Sequence, residues 1–261
     1  MYIEIWIPVF AGMTRFIGCK GYNGKGKTVE RHFEKEISRV MDTLKSMADA
    51  VQLAVALSIR AFVEHDLTMA QQVLDNENAI NSFEISLDNE IIKFFALQQP
   101  VAVDLRLVLA IQKVNNELER IGDHAVNIAE SAIHCAEPKS LAAVLPELSD
   151  MSKTVAAMLH DALDSFFSKD SERARALLIK DDEVDGMNRG IILKAISLAK
   201  NKPQAIESAM EIVRISKNLE RIADLSTNIA EEEIFHAQAR MVKHHTDTPV
   251  PPEHEGFGAG L

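Results

Sequence analysis

The 261-residue chain is poor in several things that would each have pointed elsewhere. It has two cysteines, Cys19 and Cys135, in no CxxC pairing, which excludes a disulfide framework and a cysteine-type zinc site and makes a reducing cytoplasm the natural setting. It lacks positive charge: 28 Lys and Arg stand against 39 Asp and Glu, a net −11. Nucleic-acid binding needs a basic surface to displace counterions from phosphates, and no Lys/Arg run supplies one locally. No uninterrupted apolar run reaches the roughly 18–20 residues of a membrane span, so no direct membrane insertion is expected. The opening residues contain Glu4, Pro8, Gly12 and Arg15 and lack a basic segment before their apolar stretch, unlike a signal peptide.

Glycine and the large polar aromatics are scarce in an uneven way. Trp6, Tyr2 and Tyr22 are the only Trp and Tyr residues, and five glycines crowd between Gly12 and Gly26. From there to Gly256 only Gly122, Gly186 and Gly190 occur. This marks residues 1–28 as a flexible leader outside the fold, ahead of a body rich in Ala, Leu, Ile and Glu. A start codon assigned too far upstream is one reading of it. Residues 246–261, with three prolines and three glycines, read as a disordered tail.

The body is helical. Phe33, Ile37, Val40, Leu44, Met47 and Val51 alternate steps of four and three, a narrow apolar seam that runs on to Phe62. Asp66 is a good N-cap for a second helix with the seam Val73, Ile80, Phe83, Leu87, Ile91 and Phe94, closed by Pro100. A third helix carries Leu105, Val108, Val114, Leu118, Ile121, Ala125 and Ile128 to about His134. A shift of 104 positions puts Phe62 on Phe166, Asp66 on Asp170 and Val73 on Leu177; Pro100 pairs with Pro203. In the third helix the shift becomes 101, and nine of thirteen positions are identical between 118–130 and 219–231. The pattern predicts an all-α protein of two tandem three-helix bundles, 29–136 and 141–240, joined through the Pro138/Pro146 segment.

Beside each third-helix seam runs a polar stripe, Glu119, Asp123 and Asn127 in one copy and Glu220, Asp224 and Asn228 in the other. Like charges at i and i+4 repel by a few tenths of a kcal/mol, roughly, and a bridging cation reverses that sign. Inward carboxylates on neighbouring helices are how di-iron and di-manganese bundles hold metal. The bland alternative is a solvated face on which Arg120 and Arg221 pair with Asp123 and Asp224. Retention of the same Glu, Asp and Asn in both copies, while core residues drift from Phe83 to Met187 and from Phe94 to Leu198, favours the cation. A second set at the start of each middle helix, Glu77 with Asn81 and Asp181 with Asp185, could complete a shell, or could serve the helix dipole. Oxygen-only donors suit iron(III), manganese or magnesium better than zinc. His124 aligns with Leu225 and so is not essential to both copies; Glu233-x-x-His236 has di-iron spacing but occurs once. His244, His245 and His254 fall in the tail region. Gly122, matched by Ala223, suggests close helix packing. Phosphate-binding Gly loops, a nucleophile elbow and HExxH are missing.

The run Gln99-Pro100-Val101-Ala102-Val103-Asp104-Leu105-Arg106, the paired Leu-Glu-Arg-Ile-x-Asp segments and both Asn-Ile-Ala-Glu endings resemble the PhoU family of bacterial phosphate-signalling regulators. The resemblance spans about residues 29–245 and implies two three-helix bundles. It also implies a multinuclear iron or zinc cluster on each Glu/Asp-x-x-x-Asp motif, here Glu119/Asp123 and Glu220/Asp224. Leu225 stands where family members often carry His or Tyr. The implied function is that of a non-enzymatic, cytoplasmic, often dimeric negative regulator. It would link the ATPase of a phosphate ABC transporter to the phosphate-sensing histidine kinase. A carboxylate-bridged metalloenzyme and a metal-free helical scaffold are the competing readings of the residues.

Overall fold

The structure, a computed structural model, describes residues 29–98, 100, 102–135, 145–238, 240–243 and 246–249. The leader 1–28, the segment 136–144 with Pro138, and the chain beyond Pro249 lie outside the described residues. The first repeat consists of α1 (Val29–Glu64), α2 (Leu67–Gln98) and α3 (Ala102–His134). The second consists of α4 (Leu145–Ser168), α5 (Ser171–Leu178), α6 (Asp181–Asn201), a short 3-10 turn at Pro203–Ala205, and α7 (Ile206–Gln238). Among the described residues the fold is all-α apart from one antiparallel ribbon after α7, β1 (Arg240–Lys243) with β2 (Thr246–Pro249), in which Arg240 faces Pro249. The ribbon corrects the expectation for the tail: its first four residues, through Pro249, pair as an edge strand, a place where proline is tolerated.

The apolar seams become the core. Leu44, Met47 and Val51 of α1, Leu87 and Ile91 of α2, and Leu118, Ile121, Ala125 and Ile128 of α3 are buried together. Met151, Leu159 and Phe166 of α4 meet Ile212, Leu219, Ile222 and Ile229 of α7 in the second repeat. Over residues 34–64, α1 is long and apolar enough to cross a membrane, contrary to the reading of short apolar runs. Half of its most apolar stretch is buried against the other helices, so here it is one of the core-packing helices of the first repeat. Gly122 sits where a Cβ would come 3.3 Å from the Ile80 side chain, which is the close packing its repeat mismatch suggested.

Both repeats stop their first helix in the same way. His65 and Lys169, 104 positions apart, adopt the left-handed conformation at φ 55° and 59°. The next amide donates back to a carbonyl five residues earlier, Asp66 to Ala61 and Asp170 to Ser165. This is the six-to-one bond that seals a helix C-terminus. The same aspartates then cap the following helix: Asp66 accepts from the Thr68 and Met69 amides, Asp170 from the Arg173 amide.

The middle helix is the main departure from the repeat. α2 is continuous, whereas its counterpart breaks at Ile179 and Lys180 into α5 and α6. Asp181, Asp182, Glu183 and Asp185 crowd four acids into five positions. Mid-helix they repel one another, while at a new N-terminus the dipole favours them.

Left-handed backbone costs a side-chain-bearing residue roughly 1–2 kcal/mol. Lys169→Gly should therefore raise unfolding free energy by about 1 kcal/mol after its entropic cost. Asp170→Ala should lower it by about 1 kcal/mol through the lost cap. Urea titrations of the two variants check both signs.

Candidate functional site

The third helices of the two repeats, α3 and α7, pack side by side and antiparallel. Lys113 binds the Glu232 carboxylate at 2.8 Å, and Arg214 reaches Glu130 at 2.7 Å and Asn127 at 3.1 Å. His124 Nδ1 lies 2.8 Å from Asn218 Oδ1, and the Asn228 amide bonds the Glu117 carboxylate. Lys113 and Arg214 are equivalent under the 101-residue shift, as are Asn127 and Asn228, so the seam has an internal two-fold relation. Asn127 and Asn228 are thereby engaged between repeats and do not join the carboxylates of their stripes.

Glu119 and Asp123 sit on the outer side of α3, Glu119 half-buried and Asp123 exposed. Glu220 and Asp224 hold the equivalent places on α7 and are both half-buried. The two copies differ in what neutralises them. Arg221 pairs with Asp224 at 3.1 Å and Lys217 with Glu220, so the second copy carries the salt bridges of the bland reading. In the first copy Arg120 turns instead to Glu117 at 3.0 Å, and the position matching Lys217 is Asn116. Among the described residues neither Glu119 nor Asp123 forms a side-chain hydrogen bond or ion pair.

Burial, then the charges of Asp123 and Glu84, push the Glu119 carboxyl above the ordinary glutamate range, against the pull of Arg120. Burial, then Glu220, push Asp224 above the ordinary aspartate range; Arg221 opposes and Asp185 adds to the rise. Asp185 therefore stands near its stripe as the sequence suggested, and it also approaches Arg189 at 3.7 Å. Asp181 opens α6, the place where a helix dipole favours an acid. In the first repeat neither Glu77 nor Asn81 bonds to the stripe among the described residues, and the α2 carboxylate that faces Glu119 is Glu84. Glu84 lies seven residues beyond Glu77, two turns along the same face, which is the signal that could have found it. Its repeat counterpart is Asn188, buried and accepting from Ser216 at 2.7 Å, so a search for residues kept in both copies passes over it.

Among the described residues no three His, Cys, Asp or Glu side chains converge into a set that could hold a metal ion unaided. Each motif offers two carboxylates four residues apart, one of which, Glu119 or Asp224, holds its proton more tightly than usual. That chemistry fits part of the shell of a hard cation, with the other positions filled from elsewhere. Glu233 and His236 stand apart from both stripes. Glu233 is fully buried with neither carboxylate oxygen hydrogen-bonded, and its Oε2 lies 3.7 Å from His236 Nδ1.

A carboxyl whose folded pKa is raised binds more protons folded than unfolded, so its contribution is greatest at acid pH and is lost as pH rises to the folded value. Glu119→Gln should accordingly raise the melting temperature at pH 7, in chelator, by about 1 °C, since an i,i+4 repulsion is worth ~0.2–0.5 kcal/mol and solvent screens it. The gain should vanish near pH 4, where Glu119 is itself protonated. Calorimetry across that pH range checks the sign.

Comparison with known proteins agrees with this architecture. The PhoU domain matches residues 44–132 and again 148–232, one match per repeat. A Pseudomonas aeruginosa protein named phosphate-specific transport system accessory protein PhoU homolog is 31% identical over 216 residues, 83% of this chain and 89% of its own length. An Aquifex aeolicus protein of the same name is 32% identical over 210 residues, 80% of this chain and 95% of its own length. Among solved structures, PhoU from Pseudomonas aeruginosa superposes with a TM-score of 0.77 at 31% identity, covering 79% of this chain and 99% of its own. The phosphate transport system regulatory protein PhoU from Streptococcus pneumoniae gives 0.73 at 25% identity, covering 81% and 99%. With both repeats matched by the family domain and relatives above 30% identical over most of the chain, the chain belongs to the PhoU family.

Proposed function

We propose that this chain is a metal-binding adaptor that negatively regulates the phosphate regulon. It acts as an accessory protein of the phosphate-specific transport system, the role in which its relatives are named. In this reading it couples the phosphate ABC transporter, through the transporter's ATPase, to the phosphate-sensing histidine kinase and restrains uptake when phosphate is plentiful. It works in the cytoplasm, peripheral to the membrane complexes, as a homodimer and without catalysis of its own. The observation that carries the reading is the Glu-x-x-x-Asp pair kept at equivalent, outward positions of both repeats of a PhoU fold.

The metal part rests on Glu119 with Asp123 and on Glu220 with Asp224. Glu84 and Asp185 are the carboxylates on adjoining helices whose charges act on Glu119 and Asp224. Iron in a multinuclear cluster, zinc, manganese or magnesium would each relieve the repulsion that, after burial, raises the Glu119 and Asp224 carboxyls. In the second repeat a cation would have to replace Lys217 and Arg221 as their partners. Protons compete for the same oxygens, so metal content should fall as pH drops through the raised carboxyl values.

Disruption of the gene should switch on phosphate-starvation reporters in phosphate-rich medium; unchanged reporter levels would remove the regulatory role. Protein purified without chelator should contain metal by elemental analysis, and the Asp123→Ala, Asp224→Ala double variant should lose most of it. Equal metal in the two would discard the site assignment while leaving the adaptor role standing.

A further inference from the structure

The apolar residues left exposed are not scattered at random between the repeats. Leu105 and Leu109 on α3 are 38% and 40% exposed, and their counterparts under the 101-residue shift, Ile206 and Met210 on α7, are 53% and 66% exposed. On the middle helices Ile92, 64% exposed, matches Ile196, 45% exposed, under the shift of 104. Ile92 lies one turn beyond Asp88, which accepts from Gln112, itself one turn from Leu109, so the α2 and α3 residues belong to one surface. Scattered single apolar side chains need no explanation, but three equivalent positions exposed in both copies do.

The same stripe of α3 that starts at Leu105 and Leu109 continues, by steps of three and four, to Glu119 and Asp123. On α7 it runs from Ile206 and Met210 to Glu220 and Asp224. A two-fold that exchanges two antiparallel neighbouring helices must stand normal to the plane holding both. It therefore leaves the two stripes on one side of the molecule. Lys113 opposite Glu232 and Glu117 opposite Asn228 fix the helix register. At 1.5 Å per residue, Leu109 and Met210 are then roughly 40 Å apart along the helices. The two acidic motifs lie at nearly the same height, on either side of the axis. Read from end to end, the surface is apolar, acidic, acidic, apolar.

We propose that this face docks a partner that presents one site twice about a two-fold axis, each site an apolar recess with a Lys or Arg toward the axis. Charge selects that occupant. A second copy of this chain would set acid against acid, and an anionic lipid surface would be repelled. In the metal-free protein a basic side chain finds Glu119 and Asp123 unpaired among the described residues, and in the second repeat it would displace Lys217 from Glu220 and Arg221 from Asp224, so metal and partner compete for the same carboxylates. One chain thus engages two copies of the partner.

This inference rests on the adaptor reading above, and the test uses the purified ATPase subunit of the phosphate ABC transporter from the same organism, in its nucleotide-bound dimeric form. Binding is measured in chelator, so that metal plays no part, with Leu109→Asp and Met210→Asp as the variants. Both sites are exposed, and circular dichroism verifies folding. The expected result is one chain per two ATPase subunits, with each variant weakening binding by roughly tenfold or more and the double variant abolishing it. One-to-one stoichiometry, or sensitivity to only one of the two variants, would overturn the proposal. So would loss of self-association in the variants in place of ATPase binding. Absence of ATPase binding by the unaltered protein, with the starvation reporter still released on gene disruption, overturns the docking inference alone. An unresponsive reporter removes the adaptor reading with it.

Discussion

Lys113 and Arg214 occupy equivalent places in the two repeats, and each reaches across to a carboxylate on the other's third helix. The rest of the arrangement depends on that exchange. A salt bridge of this exposure contributes little net stability, and the seam's apolar burial contributes more. What the crossed pairs supply is register, because sliding α3 along α7 by one turn would break them together with the Glu117–Asn228 and His124–Asn218 contacts. Register in turn decides that the two acidic motifs come level with each other and that the apolar ends point away.

The two repeats have diverged in electrostatics as well as in the broken middle helix. Glu220 and Asp224 have Lys217 and Arg221 on their own helix, whereas Glu119 faces Glu84 and, among the described residues, no Lys or Arg pairs with Glu119 or Asp123. The first repeat therefore holds the more strongly uncompensated charge and the second a masked version of it. Any cation, whether a metal ion or a basic side chain, meets less competition at the first.

Much of the fold was readable from the chain because helical periodicity, caps and duplication agree with one another. The seam Leu44, Met47, Val51 and the caps Asp66 and Asp170 are local features, and local physics placed them. Three things were not readable. The break between α5 and α6 depends on four neighbouring acids outweighing an otherwise continuous apolar period. Asn127 and Asn228 share spacing with the carboxylates, yet they are claimed by the other repeat, a partnership that no single-helix pattern encodes. Glu84 was hidden because its counterpart Asn188 turned inward to Ser216, so identity between copies was the wrong filter there.

The break in the second middle helix also bears on how the molecule yields. A helix of eight residues is too short to persist in water without its neighbours, so α5 keeps its shape only while Ala174 and Leu177 stay docked in the core. α2, at 32 residues and in one piece, has no comparable weak joint. The amide protons of α5 are therefore the ones that exchange through a small local opening, while those of α2 wait for a larger event. Two halves built from one template have in this way become unequal in the energy needed to open them.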